Sequence, residues 1–456
     1  MGDAACPPAR SPDADMFWSR LENTPVVRTV PFALLLAVSL VHGGYGIGRA
    51  LLGLRRIDFA QYYVAARCVL AGSPRTMYDT GALYQTAAAA AGVPGCLNDD
   101  GSIRDVMTFA YPPAVAYLFV PLALMPYRAA GCVFALASLA ALAAGVLLLF
   151  ADREPSRRRT LVLLGLLVTA MFAPVQQTLL LGQVNCVIFF CCALCLYFAR
   201  RRRMLLAGLV VALAIHIKLF PLVLLPFFVL RRQYRLVATS LLMIVLIAGA
   251  TAAMGGLDLF GLYLSKILPS QYSAGAYFAN QGFDGFFTRL LVRNEYVNSL
   301  GDSPAAAHVA ALGSGLLVVA LTYAVARLRF SQEQPWYDLG FSLCLVAALL
   351  FQAKSYEHHA VISLFAYMVM IEALAYENSG QKWLLVVVCF SFAVWSFLLT
   401  SGADYLKLPR SVVMNALFSA KFLATLALWT ASMCLLLVAH RSAVGERVES
   451  RVSGRG

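Results

Sequence analysis

The chain has 456 residues, 61% of them hydrophobic and 13% charged, with a mean hydropathy of +0.74. A soluble chain carries about a quarter charged residues, so the composition excludes a water-soluble enzyme and describes a polytopic membrane protein built from helices of roughly 20 apolar residues. The net charge of +13 does not mark a nucleic-acid partner, because Lys and Arg gather in short loops between apolar runs, at Arg157–Arg159, Arg200–Arg203, Arg231–Arg232 and Arg327–Arg329. That is the positive-inside pattern of a multi-pass protein of the cell (inner or plasma) membrane.

Residues 1–28 are polar and contain proline, and read as a cytoplasmic tail. Residues 29–440 hold the transmembrane domain, and 441–456 read as a basic cytoplasmic tail. The first apolar run, Pro31–Ile47, lacks a small-residue cleavage site, so it is expected to be a retained helix. Residues 49–110 form a first outer loop. In it, Phe59, Tyr62, Tyr63, Ala66, Val69 and Leu70 recur at helical spacing, which predicts a helix over Asp58–Leu70 lying on the membrane surface. Gly72-Ser73-Pro74 ends that helix, and a second short one is expected over Gly81–Ala91. Cys68 and Cys96 share this loop, so a disulfide and two free thiols are both open. Most of the eleven cysteines lie inside apolar runs, where cysteine behaves as a small apolar residue, and no metal site is expected.

Tyr111-Pro112-Pro113 leads back toward lipid. Ala114–Met125 is apolar, Pro126 breaks it, and Ala129–Phe150 is apolar again. If both pieces crossed, Arg157–Arg159 would lie outside, so one piece is expected to be re-entrant or interfacial. A polar break over Gln176–Asn185 separates Leu161–Ala173 from Val184–Phe198. Leu205–His216 and Leu219–Leu230 are short for full spans and lie between two arginine clusters. They read as a broken pair whose tip, at Lys218, reaches a polar cavity. Leu236–Met254 crosses outward, and residues 257–304 form a second outer loop. The remaining spans are Ala305–Ala326, Leu339–Phe351, Ala360–Leu374, Trp383–Leu399 and Met414–Ala439. The expected fold is an all-α bundle of about ten to thirteen transmembrane helices with short outer-loop helices.

Five groups of polar residues stand out. Asp58, with Tyr62 one turn on, is an acid at a membrane surface; its bland reading is a charge neutralised by Arg55 or Arg56. Gln183 and Asn185 carry amides able to bind a sugar, or simply to cap a helix or bond a neighbouring one. Lys218 lies more than ten positions from either arginine cluster, too far for easy snorkelling, and needs an anion. Asn280, Gln281 and Arg289 lie in the second outer loop, where an ordinary amphipathic surface helix is the alternative. His358 and His359 are adjacent, so on a helix they point about 100° apart and chelate poorly; a hydrogen-bond donor to phosphate is the more economical role.

An acid can take the proton from a hydroxyl nucleophile, and cations can stabilise charge growing on a phosphate leaving group. Together they suit transfer of a sugar from a lipid phosphate, and the chain has no phosphate loop or dinucleotide fingerprint. The rival reading is a transporter or flippase of a lipid-linked sugar, holding phosphate through Lys218 and arginines without chemistry.

Several stretches carry a family resemblance. They are Asp58-Phe59-x-x-Tyr62-Tyr63-x-Ala65, Met77-Tyr78-Asp79, Phe109-Ala110-Tyr111-Pro112-Pro113, Gly182-Gln183-Val184-Asn185, Lys218-Leu219-Phe220-Pro221, Asn280-Gln281 and Glu357-His358-His359. In this order the chain resembles family 87 glycosyltransferases, polyprenol-phosphate-mannose-dependent mannosyltransferases of the GT-C class. The resemblance implies a GT-C bundle, Asp58 as general base, and Lys218 with His358 or His359 near the donor phosphate. Gln183, Asn185 and Asn280 would lie near sugar or phosphate. The donor implied is a polyprenyl-phosphate hexose and the acceptor a lipid-linked or other glycan; no cofactor is marked by the sequence, and metal use varies across the GT-C class. Two positions depart from the pattern: Gly282 stands where a serine is usual, and Lys354-Ser355-Tyr356 replaces a Pro- and Trp-containing form.

Overall fold

The structure is a computed structural model that describes residues 37–52, 57–79, 81–93, 109–271, 275–328, 330, 335–377, 381–398 and 411–453. The chain is an all-α multi-pass membrane protein. Five helices are long and apolar enough to cross a bilayer: Tyr127–Leu149, Tyr234–Gly255, Pro304–Ala326, Glu357–Ala375 and Ala420–Val444. A sixth span is possible by length and composition in Pro155–Met171 plus Ala173–Leu181, which meet at a 62° bend. Shorter apolar helices, among them Asn185–Arg200, Met204–Ile217, Phe220–Leu230, Trp336–Phe351 and Trp383–Phe397, fill the bundle.

Burial separates the centre from the rim. The most apolar stretch of Glu357–Ala375 is 89% buried, whereas that of Tyr234–Gly255 is 17% buried and shows Leu241, Leu242, Val245 and Leu246 outward. The former is the axis; the latter faces lipid. Met204–Ile217 packs on Tyr234–Gly255 through Gly208, where a Cβ would stand 2.6 Å from the Leu236 carbonyl oxygen. Small residues permit such close helix approach in a membrane, where hydrophobicity itself does not drive it.

The first outer helix differs from expectation. It spans Ile57–Leu70, but Asp58 through Ala66 are all buried rather than laid on a surface. The short Pro113–Leu118 and Val120–Ala123 helices cover it. Phe59 stacks on Phe134 with 5.4 Å between ring centroids, Tyr63 Oη donates to the Met125 carbonyl at 2.6 Å, and Arg67 Nη1 donates to that of Ala123 at 3.3 Å. Aromatics on several sides of the helix demand partners on several sides, which a bilayer surface does not offer. The covering pieces are ~9 Å and ~6 Å long at 1.5 Å per residue, too short to cross; Tyr127–Leu149 makes that crossing. Arg55, Arg56 and Cys96 lie outside the described residues, and Cys68 is a buried free thiol. The last helix, Ala420–Ser453, runs on past His440 into the stretch expected to be a tail.

The arginine-bearing end of the bundle is closed by ions. Arg153 lies 2.7 Å from Asp338 and 2.6 Å from Glu372, Arg157 reaches Glu372 at 3.1 Å, and Arg200 bonds Asp338 at 2.9 Å and Asp152 at 3.1 Å. Asp152 and Arg153 lie in the turn before Pro155–Met171, Arg157 at the start of that helix, Arg200 at the end of Asn185–Arg200, Asp338 at the start of Trp336–Phe351 and Glu372 within Leu364–Glu377, so the network ties these helices together.

Candidate active site

At the other end, three helix breaks converge under the first outer helix. Each has a local cause. Ala173–Leu181 ends on Gly182 in the left-handed region (φ 72°), where glycine alone has no steric penalty, and the chain turns so that Gln183 and Asn185 project from the break. Met204–Ile217 ends at Lys218, whose backbone is extended, because Pro221 has no N–H for the Ile217 carbonyl and its ring would clash with that carbonyl if the helix ran on. Trp336–Phe351 ends before Glu357–Ser363, a tight helical stretch that carries His358 and His359. Charges and amides thus leave the helices at one level.

Asp58 is 7% exposed. Its Oδ1 accepts from Gln61 Nε2 at 3.2 Å, and Gln183 also bonds the carboxylate. Gln183 is oriented by its other end, where Oε1 accepts from the Tyr62 and Tyr111 hydroxyls, both at 2.9 Å. Two phenol donors require an oxygen there, so the amide N–H group is left to face Asp58. Burial raises the Asp58 pKa; the bonds from Gln183 and Gln61 and the positive charge of Lys218 oppose that rise. Among the described residues Asp58 forms no direct ion pair, so its charge is held by neutral amides.

Lys218 is held the same way. Its Nζ donates to Asn185 Oδ1 at 2.8 Å, and Asn185 Nδ2 in turn donates to the His358 carbonyl at 2.9 Å, which also accepts from Thr178 Oγ1 at 3.0 Å. The Lys218 charge interacts with Asp58, His358 and His359. The two imidazoles stand edge to face with centroids 4.4 Å apart, and Gln352 Nε2 bonds His359 Nδ1 at 3.3 Å. The Lys354 backbone also bonds the His359 ring.

The structure therefore brings together Asp58, Tyr62, Gln183, Asn185, Lys218, His358 and His359. It places Asn280, Gln281 and Arg289 differently, in a staple between the second outer loop and its neighbours. Asn280 bridges to Tyr356, donates from Nδ2 to the Ala353 carbonyl at 2.8 Å and accepts from the Ser355 amide at 3.0 Å. Gln281 donates to the Phe418 carbonyl at 2.7 Å and accepts from the Phe422 amide at 2.8 Å, satisfying the helix break around Ser419. Arg289 is fully buried, and its guanidinium is spent on Asn415, Ser419 and the carbonyls of Tyr277 and Asn280. The two departures from the family pattern meet here. A Cβ at Gly282 would lie 2.9 Å from the Gln352 carbonyl oxygen and 3.2 Å from Ser355 Cβ.

Gln61, Tyr111, Thr178 and Gln352 were not singled out as site residues from sequence. Gln61 had a signal, lying three positions after Asp58 on one helix face. Lys421 had one too, as a lone lysine in an apolar run; it is buried and pairs with Glu357 at 3.1 Å, beside the histidines.

Comparison with known proteins adds one finding. The model of Glycosyltransferase family 87 matches residues 109–353. That range holds Gln183, Asn185, Lys218, Asn280, Gln281 and Arg289, while Asp58, Tyr62, His358 and His359 lie outside it and reach the others through the fold. No curated protein matches the chain.

Proposed function

The chain belongs to glycosyltransferase family 87 and is a multi-pass membrane glycosyltransferase; from that premise we propose that it moves a hexose, with mannose the foremost candidate, from a polyprenyl phosphate to a lipid-linked or glycan acceptor on the non-cytoplasmic side. The supporting observation is a buried carboxylate and a lysine ammonium held only by neutral amides, within each other's field and beside two imidazoles.

Asp58 takes the proton of the acceptor hydroxyl as its oxygen attacks the anomeric carbon. The bond from that carbon to the phosphate oxygen breaks, and both electrons leave with the polyprenyl phosphate. Lys218, with His358 or His359 beside it, stabilises the departing charge. Attack opposite the leaving group inverts the anomeric centre. Gln183 keeps Asp58 aimed, and Asn185 keeps Lys218 aimed, without neutralising either. The positive-inside pattern supports a cytoplasmic position for the opposite end of the bundle, with this site on the non-cytoplasmic side.

The test is transfer in proteoliposomes from polyprenyl-phosphate mannose by Asp58→Asn. A folded variant with full transfer would remove the base. Translocation of the lipid-linked sugar without product in the unaltered protein would favour the transporter reading.

A further inference from the structure

A cavity of about 730 Å³ opens at the arginine-bearing end, ~21 Å along Met204–Ile217 from Lys218 at 1.5 Å per residue. Its lining includes Arg200, Arg202, Arg231, Arg232, Arg235 and Tyr337, with no carboxylate among the lining residues. Arg200 is spent on Asp152, Asp338 and two carbonyls. Arg231 stacks over the Phe227 and Tyr337 rings, at 5.5 and 5.4 Å. Arg202, Arg232 and Arg235 are exposed and form no ion pair among the described residues.

Two of these arginines occupy matching, costly backbone positions. Arg202 has φ 57° and Arg232 φ 58°. In both turns the next residue's amide reaches back five residues, from Arg203 to the Phe198 carbonyl and from Gln233 to that of Phe228, each at 2.9 Å. This helix ending normally takes glycine. Here it takes arginine twice, and both arginines line one cavity. Strain of this kind persists where the side chain serves a purpose. Positive-inside topology needs arginines near this surface, but it does not need them in left-handed turns around a concavity. The rim is apolar: Leu205, Leu206 and Leu230 are exposed beside the lining residues, and Tyr234 in the lining is exposed too, a set suited to a membrane–water interface.

We propose that this cavity binds the phosphate of an anionic headgroup, with Arg202, Arg232 and Arg235 as the anion's partners. The site stands apart from Asp58 and does not depend on the transfer reaction. The apolar rim favours a phospholipid over a soluble phosphate as its source.

The test uses the full chain in zwitterionic nanodiscs. Binding of a fluorescent phosphatidylglycerol is titrated with the unaltered protein, with Arg202→Gly/Arg232→Gly, and with Arg158→Gln/Arg159→Gln as a control of equal charge outside the cavity. Glycine suits the left-handed turns, so the first variant keeps or raises its melting temperature. We expect it to bind the lipid at least tenfold more weakly, with the control within twofold. Competition by millimolar sodium pyrophosphate would mark a site that reads phosphate alone; lack of competition, with the tenfold loss, would assign the lipid. Equal binding by all three proteins, or equal loss in both variants, overturns the proposal.

Discussion

The protein holds charge in opposite ways at its arginine end and around Asp58 and Lys218. At the arginine end, Asp338 is 2.7 Å from Arg153 and 2.9 Å from Arg200, and Glu372 is 2.6 Å from Arg153. At the other end, Asp58 is held by Gln61 and Gln183, and Lys218 by Asn185. A carboxylate clamped by guanidinium has its charge compensated; it ties helices together and has little left for a substrate. A carboxylate held by amides is aimed but not cancelled, so its basicity remains available. Within one bundle, the identity of the partner separates an acid whose charge is cancelled from one whose charge is not.

Substitutions can break this contrast. The largest effect is expected from Asp58→Asn, which should lower the transfer rate by about 10²–10⁴-fold, the usual contribution of a general base. Its melting temperature should not fall. Burial raises the Asp58 pKa above its unfolded value, so ionising it at neutral pH costs folding energy, a cost absent below the unfolded value and growing as pH rises through the folded one. Asp338→Asn should do the reverse. It should lose ~1–3 kcal/mol of stability, because Arg153 and Arg200 keep Glu372 and Asp152 but lose a charge-assisted partner, while specific activity of the folded fraction stays near that of the unaltered protein. Chemical denaturation and transfer assays on both variants decide the matter; matching outcomes would dissolve the contrast.

Lys218→Met should lower kcat/KM for the polyprenyl-phosphate donor by about 10–100-fold, the worth of a charge-assisted hydrogen bond. Gln183→Leu sharpens the comparison through pH. The rate should climb as pH rises through the Asp58 pKa, since only the carboxylate accepts a proton. Gln183 opposes the burial-driven rise of that pKa, so its loss should move the acidic limb to higher pH, read from a pH–rate profile. The smallest effect is Gly182→Ala, which puts a Cβ on a left-handed residue and should cost ~1 kcal/mol of stability.

Much of the site was legible one residue at a time. Asp58, Gln183, Asn185, Lys218 and the histidines are polar outliers in apolar surroundings, and such residues announce themselves because lipid makes them expensive. Asn280, Gln281 and Arg289 look the same by that criterion, yet their side chains bond the loop backbone and the helix break at Ser419. Polarity in a loop does not tell whether the partner is a ligand or a carbonyl of the same protein. Gln61 and Tyr111 were harder to find, since a glutamine on a helix and a tyrosine before prolines are ordinary residues until Gln183 joins them.

The amino-acid sequence alone determined the membrane class, the helical composition and the breaks at Gly182 and Pro221, because hydropathy and the backbone limits of glycine and proline are local properties. Only the tertiary structure decided that the 57–70 helix is buried rather than spread on a surface, and which charges meet amides and which meet arginines. Those outcomes depend on contacts between residues far apart in the chain, as between Tyr62 and Gln183 or Arg153 and Asp338.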